Sequence, residues 1–211
     1  MSKPISVQAL QRLPAYLHYL KALPIDDDTK ISAKALGNRL GYGEIQVRKD
    51  LAAVSDGGKP KVGYCVNELI RDIESFLGYD SVNDAVLVGA GKLGKALMSY
   101  EGFRLNGLNI LAAFDSDLTK CGKDESGKQI FPLEKMENLC RRMKIRIGII
   151  TVPAAQAQQV CDLLVRGGVE AIWNFAPTHL LVPEDVILKN ENIAASLAVL
   201  SKHLSEKDSI R

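Results

Sequence analysis

Residues 86–94 read Val-Leu-Val-Gly-Ala-Gly-Lys-Leu-Gly. A short apolar run leads directly into G-x-G-x-x-G and then into a helical stretch from Lys92 to Tyr100. Few folds accept that order. Gly89 permits a tight turn, Gly91 lets a pyrophosphate approach the backbone, and Gly94 lets the helix pack on the strand. The helix start adds free N–H groups and the positive end of the helix dipole. Gly89, Ala90, Gly91, Lys92, Leu93 and Gly94 are therefore the expected phosphate loop of a dinucleotide cofactor.

The next strand supplies a supporting acid. Ile110 to Phe114 ends in Asp115, 21 residues after Gly94. A carboxylate there can accept both ribose hydroxyls of the adenosine, with Ser116 beside it and Asp117 as a weaker second candidate. It would repel a 2′-phosphate, which favours NAD(H) over NADP(H). Ligands lie at the carboxyl ends of parallel strands, so two later strand ends are expected on the nicotinamide side. They are Thr151-Val152-Pro153 and Asn174-Phe175-Ala176-Pro177.

From Gly78 onward, short apolar runs alternate with helices. The expected strands are Ala85–Val88, Ile110–Phe114, Ile147–Val152, Ala171–Asn174 and Val186–Leu188, with helices over Pro132–Met143 and Ala155–Arg166. This alternation predicts parallel βαβ units of the α/β class. Before Gly78 the signals are helical. Val7, Leu10, Leu13, Leu17 and Leu20 form one apolar face, which Pro14 should kink or restart. Ser32 caps a short helix with Ala33, Leu36 and Leu40 inward. After the Gly41-Tyr42-Gly43 turn, a helix from Glu44 to Val54 offers Ile45, Leu51 and Val54 to a core. A Gly/Lys loop follows, then a fourth helix over Asn67–Leu77. The reading gives three parts: residues 1–79, 80–190 and 191–211. In the last, Ile193, Leu197, Leu200 and Leu204 make one narrow stripe, which must lie on its own domain or across a dimer.

Charge is informative only when split. The whole chain has a formal charge of +2, yet residues 29–64 carry +4. Helix, turn, helix and basic loop in that order suggest a winged helix-turn-helix. Gln46, Arg48 and Lys49 would lie on its recognition helix, Ser32 and Lys34 at the helix before it, and Lys59 and Lys61 on the loop. The expected partner is double-stranded DNA. At 211 residues the chain is short for a dehydrogenase with a full substrate domain. Hydride transfer to a carbonyl also needs a positioned acid or base, and only His179 or Tyr100 offers one. A small NAD-dependent oxidoreductase with a helical accessory domain is thus the alternative. The four cysteines form no C-x-x-C, which argues against a metal site. No export or membrane segment is apparent, which points to a cytoplasmic protein.

Over nearly its whole length the chain resembles the Rex family of bacterial redox-sensing transcriptional repressors. The stretches that carry the resemblance are Gln11–Pro14, Gln46–Leu51, Val62–Tyr64, Gly89–Gly94, Ala112–Asp115, Ile149–Ala154 and Asn174–Pro177. The resemblance implies a homodimer with winged-helix domains, Rossmann-type NAD(H) domains and an exchanged C-terminal helix. It also implies release of an operator by NADH and a place for Tyr100 near the nicotinamide. In many relatives the Arg matching Arg12 pairs with an Asp at the start of the last helix; here that position is Asn192. Two further departures lie in the DNA-facing region. Ala52-Ala53-Val54-Ser55 replaces the usual Ser-Tyr-Phe-Gly, and the loop reads Gly58-Lys59-Pro60-Lys61 before Val62-Gly63-Tyr64.

Overall fold

The computed structural model describes residues 5–208 apart from positions 25 and 27. The change of hydrophobic pattern near Gly78 becomes a structural boundary: one unit runs to Ser81 and the other starts at Val82.

In the first unit, Ser6 starts α1 (Val7–Lys21) by accepting the Ala9 N–H at 3.2 Å. The short strand β1 (Lys30–Ile31) precedes α2 (Ala33–Leu40), which Ser32 caps through the Ala35 N–H at 3.1 Å. A left-handed Gly41 ends α2, and the chain turns into α3 (Glu44–Val54). Strand β2 (Tyr64–Cys65) pairs antiparallel with β1, and α4 (Val66–Leu77) follows. A Lys59–Gly63 bridge between α3 and β2 makes a short hairpin tip. This is the order of a winged helix-turn-helix. Leu13, Tyr16, Leu17, Leu36, Val47, Leu51 and Leu69 fill its core.

One expectation is narrowed here and two change. Pro14 neither ends nor restarts α1, which continues through it. The Leu10 carbonyl loses an N–H partner, but Leu13, Tyr16 and Leu17 dock both halves in one core. Val7 and Leu10 lie outside that core, with Val7 66% exposed. On α3, Val47 is buried and Ile45 is 70% exposed. The apolar periodicity overstates the buried face, because helix ends can present apolar side chains outward without disrupting the core.

A buried charge cluster fastens α1 to α3. The Arg12 guanidinium donates from Nε to Asp50 Oδ2 at 2.8 Å and from Nη2 to Oδ1 at 2.9 Å. The Tyr16 hydroxyl donates to Oδ2 at 2.8 Å. Asp50 raises the Arg12 pKa above its ordinary value, while burial is the main cause that raises that of Tyr16.

The second unit is a seven-stranded sheet ordered β5-β6-β4-β3-β7-β8-β9. In chain order its elements are β3 (Asn83–Val88), α5 (Lys92–Ser99), α6 (Gly102–Leu105), β4 (Leu108–Asp115), β5 (Gly122–Lys123), β6 (Gln129–Pro132), α7 (Met136–Met143), β7 (Ile147–Ile150), α8 (Ala154–Arg166), β8 (Ala171–Asn174), β9 (Ile187–Asn190) and α9 (Ile193–Asp208). All pairings but β5–β6 are parallel. Without β5 the order is the doubly wound 3-2-1-4-5-6. The direction in which strands are added therefore reverses at β3, which pairs with both β4 and β7. Strands β5 and β6 were not legible in the sequence: one is two residues long and the other ends in Pro132. Residues 133–135 form a 3₁₀ turn, so α7 starts later than the apolar pattern suggests. The strand expected to reach Val152 ends at Ile150.

Asp50→Ala strands the Arg12 cation in a partly buried site and should cost on the order of 3 kcal/mol in urea unfolding. Asp50→Asn, which can still accept from Tyr16, should lose less. Equal stability of Asp50→Ala and the parent would show that the cluster does not hold α3.

Candidate functional site

The loop after β3 is braced from both neighbouring strands. Its Gly89 N–H donates to the Phe114 carbonyl at 2.8 Å, and its Ala90 N–H donates to Asp115 Oδ2 at 2.8 Å. From the β7 side, Thr151 Oγ1 lies 2.8 Å from the Gly89 carbonyl and 3.0 Å from that of Val88. Gly89 has φ 102°, and a Cβ there would stand 2.9 Å from the Thr151 backbone. A Cβ on Gly94 would stand 2.0 Å from the Gly89 carbonyl oxygen. Both glycines are therefore sterically required. At Gly91 a Cβ would meet nothing within 4 Å. Gly91 is also the N-cap of α5 and makes no side-chain cap bond, so the first-turn N–H groups face open space.

That space is a cavity of about 720 Å³. Its walls come from three strand ends: Gly89 and Gly91 after β3, Asp115 to Asp117 after β4, and Thr151 to Pro153 after β7. This is the switch point of the sheet, where an open α/β fold binds ligands. The volume lies within the range of small-molecule and cofactor sites. An open Gly91 facing a helix start fits a pyrophosphate, so the residues suit a dinucleotide.

Asp115 does more than the sequence suggests. It is 6% exposed, and it also accepts the Asp117 N–H at 2.8 Å and the Lys120 ammonium at 3.1 Å. Three donors occupy most of a carboxylate's acceptor sites. The acid thus ties β4 to the glycine loop, and Lys120 offsets the charge that would oppose a 2′-phosphate. Asp117 is exposed, and hydrogen bonds from Thr119 hold its carboxyl below the usual range.

A second cavity, of about 590 Å³, lies in the first unit between α3 and the hairpin tip. It brings together Ser32, Lys34, Arg48, Lys59 and Lys61. Arg48 also pairs with Glu44 one turn earlier on α3. Gln46 and Lys49 are exposed on the same helix and line a neighbouring groove with Ile45. At the tip, the Val62 N–H donates to the Lys59 carbonyl at 3.2 Å. Pro60 therefore stands at the second position of a turn and Lys61 at the third, with φ 63°. A type II turn puts glycine or asparagine at that third position, and here it is a lysine.

Two family models match: "CoA binding domain" over residues 80–178 and "Putative DNA-binding protein N-terminus" over residues 4–52. The redox-sensing transcriptional repressor Rex of Treponema denticola is 40% identical over 94% of this chain and 95% of its own length. The Clostridium beijerinckii repressor of the same name is 41% identical over 98% of each. The crystal structure of RSP with β-NAD⁺ and operator DNA superposes with a TM-score of 0.90, at 36% identity over 99% of this chain and 96% of that one. RSP with β-NADH gives 0.86 at 35% identity, over 99% and 98%.

The chain belongs to the Rex family of redox-sensing transcriptional repressors.

As a Rex-family chain it places the sequence-derived site residues unevenly. Gly89, Gly91, Asp115, Ser116, Thr151, Val152 and Pro153 line the glycine-loop cavity. Ala90 and Gly94 are buried beneath it, and Lys92 and Leu93 are exposed on the first turn of α5. Asn174 does not line that cavity. It is 0% exposed, and its side chain bonds Ala176, Thr178 and Asn190. It shapes the loop after β8. Ala176 is buried, Phe175 packs on Trp173, and Pro177 is exposed outside the cavity. Tyr100 lines a different cavity, of about 280 Å³, and stacks edge-on to Phe103.

Of the expected switch and dimer residues, Arg12 bonds Asp50, and Asn192 caps α9 by accepting the Ala195 N–H at 3.0 Å. Leu197 and Leu200 are exposed. The side chain of Ile193 lies outside the described residues. Lys120, Gln156 and Gln159 also line the glycine-loop cavity, beyond the residues expected from the sequence. Gln156 and Gln159 had a signal, since they follow the Thr151–Pro153 strand end on a helix start. Among the described residues no helix is long and apolar enough to cross a membrane, and no cluster of three His, Cys, Asp or Glu could hold a metal.

Gly91→Glu should leave thermal unfolding unchanged, because the site is open, yet abolish NADH binding measured by fluorescence. Gly94→Ala should instead lower stability by about 1–3 kcal/mol through overpacking. Equal stability of these two variants would contradict the packing described. Lys61→Gly should raise stability by about 1 kcal/mol by relieving the left-handed backbone; urea unfolding checks the sign.

Proposed function

We propose that this chain works as a homodimer that holds double-stranded operator DNA and releases it when NADH fills the glycine-loop cavity. One observation carries the reading: a glycine-loop cavity at the switch point of the sheet and a basic winged-helix groove occur in one chain. RSP, its structural relative, is described with β-NAD⁺ and operator DNA and with β-NADH. The second copy is supported by α9, whose Leu197, Leu200 and Leu204 are exposed along one stripe. An apolar stripe of that kind gains stability when another chain covers it.

NAD⁺ and NADH differ in the charge and planarity of the nicotinamide. Either can shift a dimer between two shapes only by binding one more tightly. A change that moves two recognition helices off the spacing of successive major grooves lowers DNA affinity. On this reading the groove cations Lys34, Arg48, Lys59 and Lys61, with Lys49, hold phosphates, while Gln46 reads a base edge.

An oxidoreductase would need a proton donor beside the nicotinamide. Among the described residues the cavity lining includes no histidine, tyrosine or cysteine, and its lysine, Lys120, is paired with Asp115 and Asp117. His179 Nδ1 lies 3.2 Å from the Leu180 carbonyl, and Tyr100 lines another cavity.

A duplex selected from a random pool by the full chain provides the test. NADH should release it, and Gly91→Glu should remove the response without removing DNA binding. Persistent NADH release by Gly91→Glu would refute the cofactor assignment; NADH consumption with small carbonyl compounds would favour the enzyme. Arg12 already has a charged partner and Asn192 offers only a neutral acceptor. Neutral hydrogen bonds are roughly half as strong as charge-assisted ones, so the NADH-to-NAD⁺ ratio of effectiveness should stay below roughly a hundredfold. Many hundredfold would contradict this. Lys61→Gly should weaken binding and flatten its logarithmic salt dependence by about 0.9, the slope of one neutralised phosphate.

A further inference from the structure

The recognition helix carries an apolar side chain that its own domain does not use. Ile45 stands in the first turn of α3 and is 70% exposed, while Val47 and Leu51 hold the helix to the core. At about 100° per residue, Ile45, Lys49 and Ala52 share one outward line, with Gln46 and Arg48 on either side. All five are exposed. On the opposite side Val47 and Leu51 are buried in the core, and Asp50 on the flank is fixed by Arg12 and Tyr16, so this outward face has a defined orientation.

The surroundings select the occupant. Ile45 lines a groove with Gln46 and Lys49 of its own helix and with Ile5, Ala9 and Arg12, and Arg48 is exposed further along the helix, so a few apolar groups are bordered by a glutamine and three cations. Those neighbours suit a polyanion with hydrogen-bonding edges. In the DNA major groove the apolar group on a base edge is the thymine 5-methyl. The N-terminal residues of a recognition helix are the ones that reach base edges, and Ile45 is the second residue of α3. We propose that Ile45 is a specificity residue that packs on a thymine methyl group in each operator half-site. The assignment rests on the DNA-binding reading above.

The experiment uses the full chain and the duplex it selects from a random pool. Each thymine is replaced in turn by deoxyuridine, which removes only the methyl group. Affinity is measured by fluorescence anisotropy at one fixed salt concentration. At one thymine per half-site the replacement should weaken binding about fourfold, and about fifteenfold when both half-sites carry it, the factors expected for one buried carbon group. Ile45→Ala should weaken binding to the thymine duplex and become indifferent to the replacement, since the two changes remove the same contact. Lys49→Ala should weaken binding yet keep the full response to deoxyuridine. Ile45→Val, which retains a branched apolar group, should keep most of it. Circular dichroism should show Ile45→Ala folded as the parent is.

Tight, sequence-specific binding that ignores every deoxyuridine would overturn the Ile45 assignment and leave the DNA reading standing. So would a selected half-site without thymine, or an undiminished deoxyuridine effect in Ile45→Ala. Failure to enrich any sequence from the pool would overturn the DNA reading and this assignment with it.

Discussion

The bond from the Ala90 N–H to Asp115 sets the geometry on which the nucleotide unit depends. It joins the loop after β3 to the end of β4, while Thr151 holds the same loop from β7. A loop braced on two sides can keep Gly89 in its left-handed conformation and Gly94 against the Gly89 carbonyl. These bonds place the start of α5 at the open point of the sheet. The binding surface is therefore organised before a ligand arrives, which lowers the ordering penalty on binding. Its walls are the ends of three different strands, so one cavity joins the two halves of the sheet on either side of β3.

The winged unit uses the same device with different residues. Asp50 receives Arg12 and Tyr16 and fixes the inner side of α3. In both units a buried carboxylate is stable because several donors converge on it. In both, what it fastens is the element that faces outward. Unpaired, either acid would be a liability; fully satisfied, it specifies one orientation where apolar packing alone would permit several. Asn174, buried and bonded to three residues, does this for the loop after β8.

This explains which features were legible in the sequence. The doubly wound alternation, the winged-helix order and the glycine loop follow from local chemistry: periodicity, caps and the space that each glycine must leave. Asp115, Asp50 and Asn174 could be recognised by residue type or position but not by partner. A strand-end acid looks the same whether its oxygens face a ribose or an Ala90 N–H, and an asparagine beside Phe175 looks the same whether it faces a ligand or Asn190. The Ala90 donor lies 25 residues from Asp115, and Arg12 and Tyr16 lie 38 and 34 residues from Asp50. Short edge strands were hidden for a related reason. Strands β5 and β6 are formed by pairing with β4 and with each other, so little in their own sequence marks them.

The C-terminal helix shows the limit of local reasoning most clearly. Its apolar stripe predicts a surface to lie on but not whose surface it is. Its start, however, is anchored: Trp173 Nε1 donates to Glu191 at 2.9 Å, and the Glu191 N–H donates to the Asn174 carbonyl at 2.8 Å. Asn190, one residue earlier, receives the Asn174 side chain. The helix thus leaves the sheet from the same hydrogen-bonded layer that shapes the loop after β8. A helix joined through a flexible linker would absorb a shift of that layer within the linker. One joined through consecutive backbone and side-chain bonds follows the strand end, so the start of α9 is fixed to the β8–β9 edge of the sheet.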